Sequence, residues 1–224
     1  MTDLLVYMPA VFKALGVTIW LSWLALLIGA LGGSVLALMR ISRFRLLRLI
    51  AMLYTEFFRS VPILIMLFFF FYGVPLAFGL DLSPFAAATV ALSAHASSMM
   101  SEVIRAGIES VGKGQLDAAQ AAGMTYRQML RHVIAPQAMQ VILPPSVNIY
   151  IMVLKESSVA SIIGFIELTS TGLLIREAFG GGFVILGIVA ILYFAVCYAI
   201  SLTGGVLEHK TKIAGRGVPI GEVR

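Results

Sequence analysis

The stretch ILIMLFFFFY, Ile63 to Tyr72, decides the fold class because every one of its positions is apolar. A strand of a membrane barrel alternates lipid-facing and lumen-facing residues, so a continuous apolar stretch favours a transmembrane helix. It lies inside an uncharged run from Val61 to Leu80, which has the roughly 20 residues that a helix needs to cross a hydrocarbon core of about 30 Å. The sequence therefore predicts an all-α membrane protein.

Four further uncharged runs of similar length occur in the chain, which has 224 residues, 60% of them hydrophobic and only 12% charged. Such a balance is not typical of a soluble domain. We predict a single transmembrane domain with five transmembrane helices, at about residues 14–39, 60–80, 82–102, 136–163 and 180–207. The fourth helix contains Pro136, Pro144 and Pro145 and is expected to be kinked or broken.

The basic residues cluster in three parts of the chain, between the first two predicted spans, between the third and fourth, and after the fifth. By the positive-inside rule this places the amino terminus outside and the carboxyl terminus in the cytoplasm. Because the basic residues are explained by the orientation of the chain in the membrane, the net charge of +5 gives no reason to predict nucleic-acid binding. The amino terminus MTDLLVYMPAVFK lacks a basic n-region, so we expect no cleaved signal peptide.

Motifs for catalysis or metal binding are weak. GIESVGKG, Gly107 to Gly114, approaches a phosphate loop but ends in Gly where a hydroxyl is needed, and it follows a membrane helix instead of a strand. Cys197 stands alone, and His95 has no second ligand at metal spacing, so a hydrogen-bonded core histidine is expected. We predict no enzyme activity, no metal and no cofactor held by the chain itself.

A polar stretch interrupts the apolar sequence: GQLDAAQAAGMTYRQMLRHVIAPQA, Gly114 to Ala138. Leu116, Ala119 and Gly123 fall on one face of a short helix that is almost bare of side chain. Thr125 and Gln128 match a capping box, so a second helix is expected to start near Tyr126 and to end near Ile134, before Pro136. The stretch therefore predicts a helix-turn-helix within a cytoplasmic loop at about 105–135.

The same stretch resembles the cytoplasmic loop of permease subunits of bacterial ABC importers, in the polar amino acid permease family. That pattern is E-A-A, three residues, G, nine residues, I-x-L-P. Here Asp117-Ala118-Ala119, then Gly123, then Val133 to Pro136, stand at its spacing. Further matching segments are YTEFFRSVP from Tyr54, EVIRAGIESVGKGQ from Glu102, PQA from Pro136, LPPSVN from Leu143 and KESS from Lys155. Ser157-Ser158-Val159 and Ser97-Ser98-Met99 depart from the pattern and leave the transported amino acid open.

The resemblance implies a permease of the bacterial inner membrane that pairs with an identical or homologous subunit to form the pathway. It also implies two separate ATPase subunits, which bind the ATP, and an extracytoplasmic solute-binding protein that delivers an amino acid. The residues that it places in the ATPase-coupling loop are Gly114, Gln115, Asp117, Ala118, Ala119, Gly123 and Pro136.

Lys155 and Glu156 are the strongest candidates for the substrate pathway, because ionisable groups are costly inside a bilayer and usually face a pathway or a partner. Lys155 could meet the carboxylate of an amino acid and Glu156 its ammonium group, helped by the hydroxyls of Ser157 and Ser158. The alternative is that both charged side chains extend to the outer membrane interface. The pairs Glu56–Arg59 and Glu102–Arg105 are interpreted as structural ion pairs.

Other functions remain open from the residues. An ion-coupled secondary carrier could use Lys155 and Glu156 as a relay, although five spans show no inverted repeat. A membrane-anchored interaction protein could use the polar helices for docking, but it leaves the charged pair unexplained. A DNA-binding helix-turn-helix would need a third helix, and both ends of this segment are joined to predicted spans.

Overall fold

The structure, a computed structural model, describes the backbone of residues 2–179 and 182–214 and the side chains of residues 6–178 and 183–205. Within these ranges every regular element is helical, which confirms the predicted fold class. The α-helices are α1 (Thr2–Arg40), α2 (Arg45–Ser60), α3 (Ile63–Phe68), α4 (Val74–Phe78), α5 (Pro84–Glu109), α6 (Lys113–Ala121), α7 (Tyr126–Met129), α8 (Ala135–Glu156), α9 (Leu168–Phe179) and α10 (Gly182–Ala214).

Three described helices are long and apolar enough to span a membrane: Val6–Arg40, Tyr126–Ile163 and Phe183–Gly205. A fourth span results if Arg45–Ser60 and Ile63–Phe78, which meet at an angle of 106°, count together. The third predicted span falls on α5, whose 26 residues are long enough but include several buried serines. A helix enclosed by other helices needs no lipophilic surface. Five spans therefore stay a prediction.

The core lies where α1 packs along α5. At Gly29 an added Cβ would lie 2.6 Å from Ala96 Cβ, and at Gly33 it would lie 2.6 Å from Met100 Cβ and 2.9 Å from the Ser97 carbonyl oxygen. These distances are too short for any side chain, so glycine lets the two backbones approach closely, as small residues do between membrane helices.

Hydroxyl groups inside the apolar helices donate to carbonyl oxygens four residues earlier in the same helix. Thr18 donates to Ala14 at 3.1 Å, and Ser22 donates to Thr18 at 2.7 Å. Thr55 makes the same bond to Ala51 at 2.7 Å. Because these hydroxyls find partners within their own helix, they can be buried in an apolar environment at little cost.

The second predicted span, 60–80, begins where the structure has a sharp bend. The chain is helical before it as α2, which the sequence analysis did not predict, and the helix ends at Ser60. Pro62 cannot donate a backbone hydrogen bond and forces Val61 into an extended conformation, at φ −84° and ψ 128°. The helical path resumes at Ile63 and includes a wider π-helical turn at Phe69–Gly73.

The predicted helix end near Ile134 is wrong, and the fourth span, expected to be kinked or broken, is not broken. The chain remains helical from Tyr126 to Ile163, through a π-helical turn at Leu130–Ile134, through α8 and into a 3₁₀ turn at Ser157–Ile163. Pro136 lies in the first turn of α8, immediately after the wider π turn, where its missing N–H and its ring are accommodated. Pro144 and Pro145 lie inside α8 without ending it.

Candidate functional site

The polar stretch forms the predicted helix-turn-helix. Helix α6 is followed by Gly123, whose φ of +75° is in the left-handed region that favours glycine. Thr125 then caps α7: its hydroxyl accepts from Gln128 N at 3.4 Å, and its own N–H donates to Gln128 Oε1 at 2.8 Å. This reciprocal pair confirms the predicted capping box and fixes the direction in which α7 leaves the turn.

Of the three residues predicted to form the docking face of α6, Gly123 is exposed but the other two turn inward. Ala119 is buried, at 5% exposure, and Leu116 is half-buried, because this apolar side of α6 holds the helix against α7 and the π-helical turn. A short helix with one small apolar face uses that face for its own packing. The side that remains exposed carries Gln115, Asp117 and Ala118, and Gly114 is exposed at its start.

Glu102 forms ion pairs with arginines of three helices. It lies near the end of α5 that leads into the loop. Arg40 of α1 donates to Glu102 Oε1, Arg59 of α2 lies 3.7 Å from the same oxygen, and Arg105 donates to Oε2 at 2.8 Å. The predicted pair Glu102–Arg105 is therefore present, and so is Glu56–Arg59 at 3.0 Å. The network ties α1 and α2 to α5, at the base of the loop.

A cleft of 680 Å³ lies beside this network. Its walls are formed by α2, by α6 and by the carboxyl ends of α1 and α5. Leu116 of α6 forms part of its wall, which is consistent with the inward orientation of that side chain. Arg105 also donates to Glu109 at 2.6 Å, so the base of the loop is held by ion pairs as well as by apolar packing.

Lys155 and Glu156 lie at the end of α8, as neighbours in sequence, but their side chains point in different directions. Neighbouring helical residues are separated by about 100° around the axis. Lys155 is exposed and faces α10, while the Glu156 side chain is 23% exposed and faces His95 of α5. Among the described residues no ion pair joins the two.

Lys155 lines two adjacent clefts against α10, of 420 Å³ and 340 Å³. Tyr193 lines both, and Cys197 lies in the larger one. Ser158, which was predicted to assist substrate binding, lines the smaller cleft, and its hydroxyl donates to the Lys155 carbonyl oxygen at 2.6 Å. Ser157 is fully buried, with its hydroxyl donating to the Leu154 carbonyl oxygen at 2.8 Å.

Glu156 is half-buried and its side chain faces the centre of the molecule. Its Oε1 lies 3.5 Å from Nε2 of His95, which is itself buried at 6% exposure. Its Oε2 is buried and has no hydrogen-bond partner among the described residues. An unpaired carboxylate oxygen in this position can accept a hydrogen bond from a bound group. His95, predicted to be a hydrogen-bonded core residue, bonds through Nδ1 to the Phe58 carbonyl oxygen at 2.9 Å.

A second carboxylate, Glu167, was not predicted from the sequence; it is fully buried immediately before α9. It accepts from Thr169 N at 2.9 Å, Ser170 N at 2.8 Å and the Tyr193 hydroxyl at 2.9 Å. Thr18 of α1 accepts from Leu168 N at 3.1 Å, so the cluster joins α1, α9 and α10. A lone Glu in an otherwise uncharged stretch is the signal that could have identified it.

These features define an all-α integral membrane protein with a half-buried carboxylate at Glu156, a fully buried one at Glu167 and a compact polar helix-turn-helix at one end. Comparison with known proteins gives the family. Residues 29–204 match the family described as binding-protein-dependent transport system inner membrane component. The chain belongs to this family of transporter membrane subunits.

Relatives from Bacillus subtilis (strain 168) are similar over most of their length. The probable glutamine ABC transporter permease protein GlnM is 36% identical over 80% of this chain and 82% of its own. The arginine transport system permease protein ArtQ is 34% identical over 91% and 93%, and the L-cystine transport system permease protein TcyB is 35% identical over 91% and 87%.

Solved structures show the same architecture. A crystal structure of an amino acid ABC transporter with histidines superposes with a TM-score of 0.86 at 35% identity, covering 93% of this chain and 97% of that one. An inward-facing MetNI methionine ABC transporter structure superposes with a TM-score of 0.70 at 20% identity, covering 90% of this chain and 94% of that one; this likeness concerns the fold alone.

Proposed function

We propose that this chain is the permease subunit of an ATP-driven importer for polar amino acids in a bacterial inner membrane. Two permease subunits, identical or homologous, enclose the pathway, and two ATPase subunits bind and hydrolyse the ATP. An extracytoplasmic solute-binding protein delivers the substrate. The amino terminus is outside and the carboxyl terminus, with the loop at 105–135, is in the cytoplasm.

The observation that carries the proposal is the match, over 93% of the chain, to the amino acid ABC transporter structure, together with a lysine and a glutamate adjacent in sequence at the end of an apolar helix. A polar amino acid carries a carboxylate and an ammonium group, so a pathway for it benefits from both signs of charge. Names of relatives that mention glutamine, arginine and cystine support the same substrate class.

The divergence of Lys155 and Glu156 supports a pathway built by two subunits. Within one chain the two head groups face different helices, α10 and α5. A single small substrate would meet both charges if the second permease subunit supplied one of them. The pathway then lies between subunits, and neither subunit transports alone.

Coupling to the ATPase is assigned to the exposed side of α6 and its turn. Gln115, Asp117 and Ala118 lie on that side, where the short side chains of Asp117 and Ala118 allow a partner to approach closely. The left-handed Gly123 and the capping box of Thr125 make the turn a rigid connection. Pro136 lies beyond the π-helical turn and acts through the path of α8 rather than as a docking contact.

The test begins with purification of the tagged chain from its native membrane and identification of the copurifying subunits. The complex is then reconstituted in vesicles with ATP inside and the identified binding protein outside. Uptake of labelled L-glutamine, L-arginine or L-cystine that requires ATP hydrolysis supports the proposal, with a non-hydrolysable ATP analogue as the control. Flux driven by an ion gradient without ATP would indicate a secondary carrier, and an absence of flux would indicate an interaction protein.

A further inference from the structure

The hydrogen bond between His95 and the Phe58 carbonyl oxygen fixes the position of one proton. A carbonyl oxygen can only accept, so Nδ1 of His95 carries a hydrogen and donates it over 2.9 Å. In a neutral imidazole with Nδ1 protonated, Nε2 carries a lone pair. That nitrogen is the atom that faces Glu156 Oε1 at 3.5 Å.

Two lone-pair atoms facing each other in a buried site repel unless a proton lies between or beside them. The pair can hold that proton as imidazolium and carboxylate, or as imidazole and carboxylic acid. Both arrangements have no net charge, and loss of the proton leaves a net charge of −1. The uncharged state is the one that a buried site without a bound cation favours.

Among the residues whose side chains the structure describes, no other side chain bonds to Glu156. Arg59 of α2 pairs with Glu56 and Glu102, and the Tyr54 hydroxyl shares a hydrogen with Ser97 Oγ at 2.9 Å. Of the remaining neighbours, α1 presents small residues where it meets α5, and the 3₁₀ turn and α3 contain no titratable residue. Besides the pair itself, the charged and titratable side chains described on the surrounding elements are Arg45, Arg48, Tyr54, Glu56 and Arg59 of α2, Tyr72 of the π turn, Glu102, Arg105 and Glu109 of α5, Tyr150 and Lys155 of α8, Tyr7, Lys13 and Arg40 of α1, and Tyr193, Cys197 and Tyr198 of α10.

We propose that His95 and Glu156 share one proton, which a positively charged group of the transported molecule displaces when it binds to Glu156. This inference rests on the proposed function, in which Glu156 belongs to the pathway. The ammonium N–H donates to the carboxylate, whose buried Oε2 lacks a donor, and the proton leaves to solvent. The site keeps the same net charge before and after the exchange, so it need not bury an uncompensated charge.

His95 is then a positioning residue: it holds Glu156 and stores the proton, while Glu156 contacts the substrate. The proton stored with His95 also sets substrate specificity, because the site accepts a molecule that brings a cationic group and rejects one that does not. An amino acid with a blocked amino group would fail to displace the proton, although its side chain and carboxylate are unchanged.

The first test uses the wild-type complex in detergent, without the binding protein. Labelled L-glutamine and L-arginine are the probes, and N-acetyl-L-glutamine is the comparison ligand. We expect affinity for the probes to rise with pH by up to about tenfold per pH unit, and up to one proton to be released for each probe bound in weakly buffered solution. Affinity that does not depend on pH, with no proton release, would overturn the proposal.

The second test compares His95→Gln with His132→Gln. His132 is a matched control, since its Nδ1 also lies 2.9 Å from a backbone carbonyl oxygen, that of Gln128, but the residue is exposed and outside the pathway. We expect the pH midpoint of probe binding to move downward by a pH unit or more in His95→Gln and to stay unchanged in His132→Gln. Identical midpoints in wild type and His95→Gln would contradict the shared proton.

A spectroscopic measurement covers the case in which His95→Gln does not assemble. In the infrared spectrum of wild type the stored proton should give either a carboxylic acid band, identified by its loss in Glu156→Gln, or an imidazolium band, identified with ring-labelled histidine. That band should disappear on addition of L-glutamine. A band that persists on binding refutes the exchange. If no probe binds to wild type and no ATP-driven uptake occurs, the proposed function fails together with this inference; if uptake is normal without proton release, only the inference fails.

Discussion

The turn at Gly123 provides a prediction whose size follows from the backbone. Its φ of +75° is unfavourable for residues with a Cβ by about 1–2 kcal/mol. An added Cβ would meet no atom within 4 Å, so steric contact inside the chain adds nothing to that cost. A penalty of this size changes the ratio of native to altered turns by a factor of roughly 5–30.

Three substitutions separate the conformational cost from other effects. Gly123→Val should be the most damaging, because a β-branched residue tolerates positive φ poorly. Gly123→Asn should retain most function, since Asn visits this region more readily. Gly112→Ser is the control: Gly112 has a φ of −62° at the start of α6 with open space around it, and serine is a favoured residue at that position.

The assay measures the amount of ATPase that copurifies with the permease, together with the initial rate of ATP-driven uptake, at matched membrane levels. If the native turn is required for docking, we expect both to fall in Gly123→Val, by at most about 5–30-fold, because the occupancy of the native turn cannot fall by more than its equilibrium ratio does. Gly112→Ser should remain at the wild-type level. Normal docking and uptake in Gly123→Val, or an equal loss in Gly112→Ser, would refute the coupling role of this turn.

Three further predictions concern the charged site, the packing and the topology. Lys155→Ala should impair uptake while assembly and membrane level remain normal; unchanged affinity and rate in a transport assay would place Lys155 at the membrane interface instead. Gly33→Ala should lower the membrane level on immunoblots because its Cβ would lie 2.6 Å from Met100, whereas Gly16→Ala, with no atom within 4 Å, should not. A cysteine at Asp81 should react with an impermeant label from outside and one at Asp117 only after permeabilisation; the reverse pattern would invert the topology.

Local rules predicted the parts of the fold that depend on near neighbours in sequence. The all-α class followed from uninterrupted apolar runs, and the turn at Gly123 with its capping box followed from residues three positions apart. The orientation of α6 did not follow from local rules, because a helix face of small apolar residues is compatible either with docking a partner or with packing against α7. Only the tertiary structure, in which Ala119 is buried, distinguishes the two.

Proline was the least reliable signal. A proline usually ends a helix because it lacks an N–H and its ring meets the preceding turn. That rule correctly describes Pro62, where α2 ends, but not Pro136, which follows a π-helical turn wide enough to accept it. Sequence alone does not show whether a given proline ends a helix or is accommodated within it. The outcome depends on whether neighbouring helices hold the irregular turn in place.

The predicted site was incomplete for a related reason. Lys155 and Glu156 stand out because they are charged in an apolar stretch, but their partners are distant in sequence: His95 for Glu156, and Tyr193 in the clefts beside Lys155. Such contacts join α8 to α5 and α10, and no spacing rule within one helix predicts them. Glu167 shows the same limit, with its hydroxyl donor on α10.

The continuous helix from Tyr126 to Ile163 changes how the proposed coupling would operate. Had the chain broken at Pro136, movement of the loop would reach the pathway only through side-chain packing. Instead the capping box at Thr125 and the charged residues Lys155 and Glu156 lie on one helical path of about 45 Å. The irregular turns lie next to the two regions that matter, the π turn just after α7 and the 3₁₀ turn just after Glu156. Helix irregularities at such places often mark functional sites. A displacement of α7 by the ATPase would therefore move the end of α8 directly, and with it the contact between Glu156 and His95.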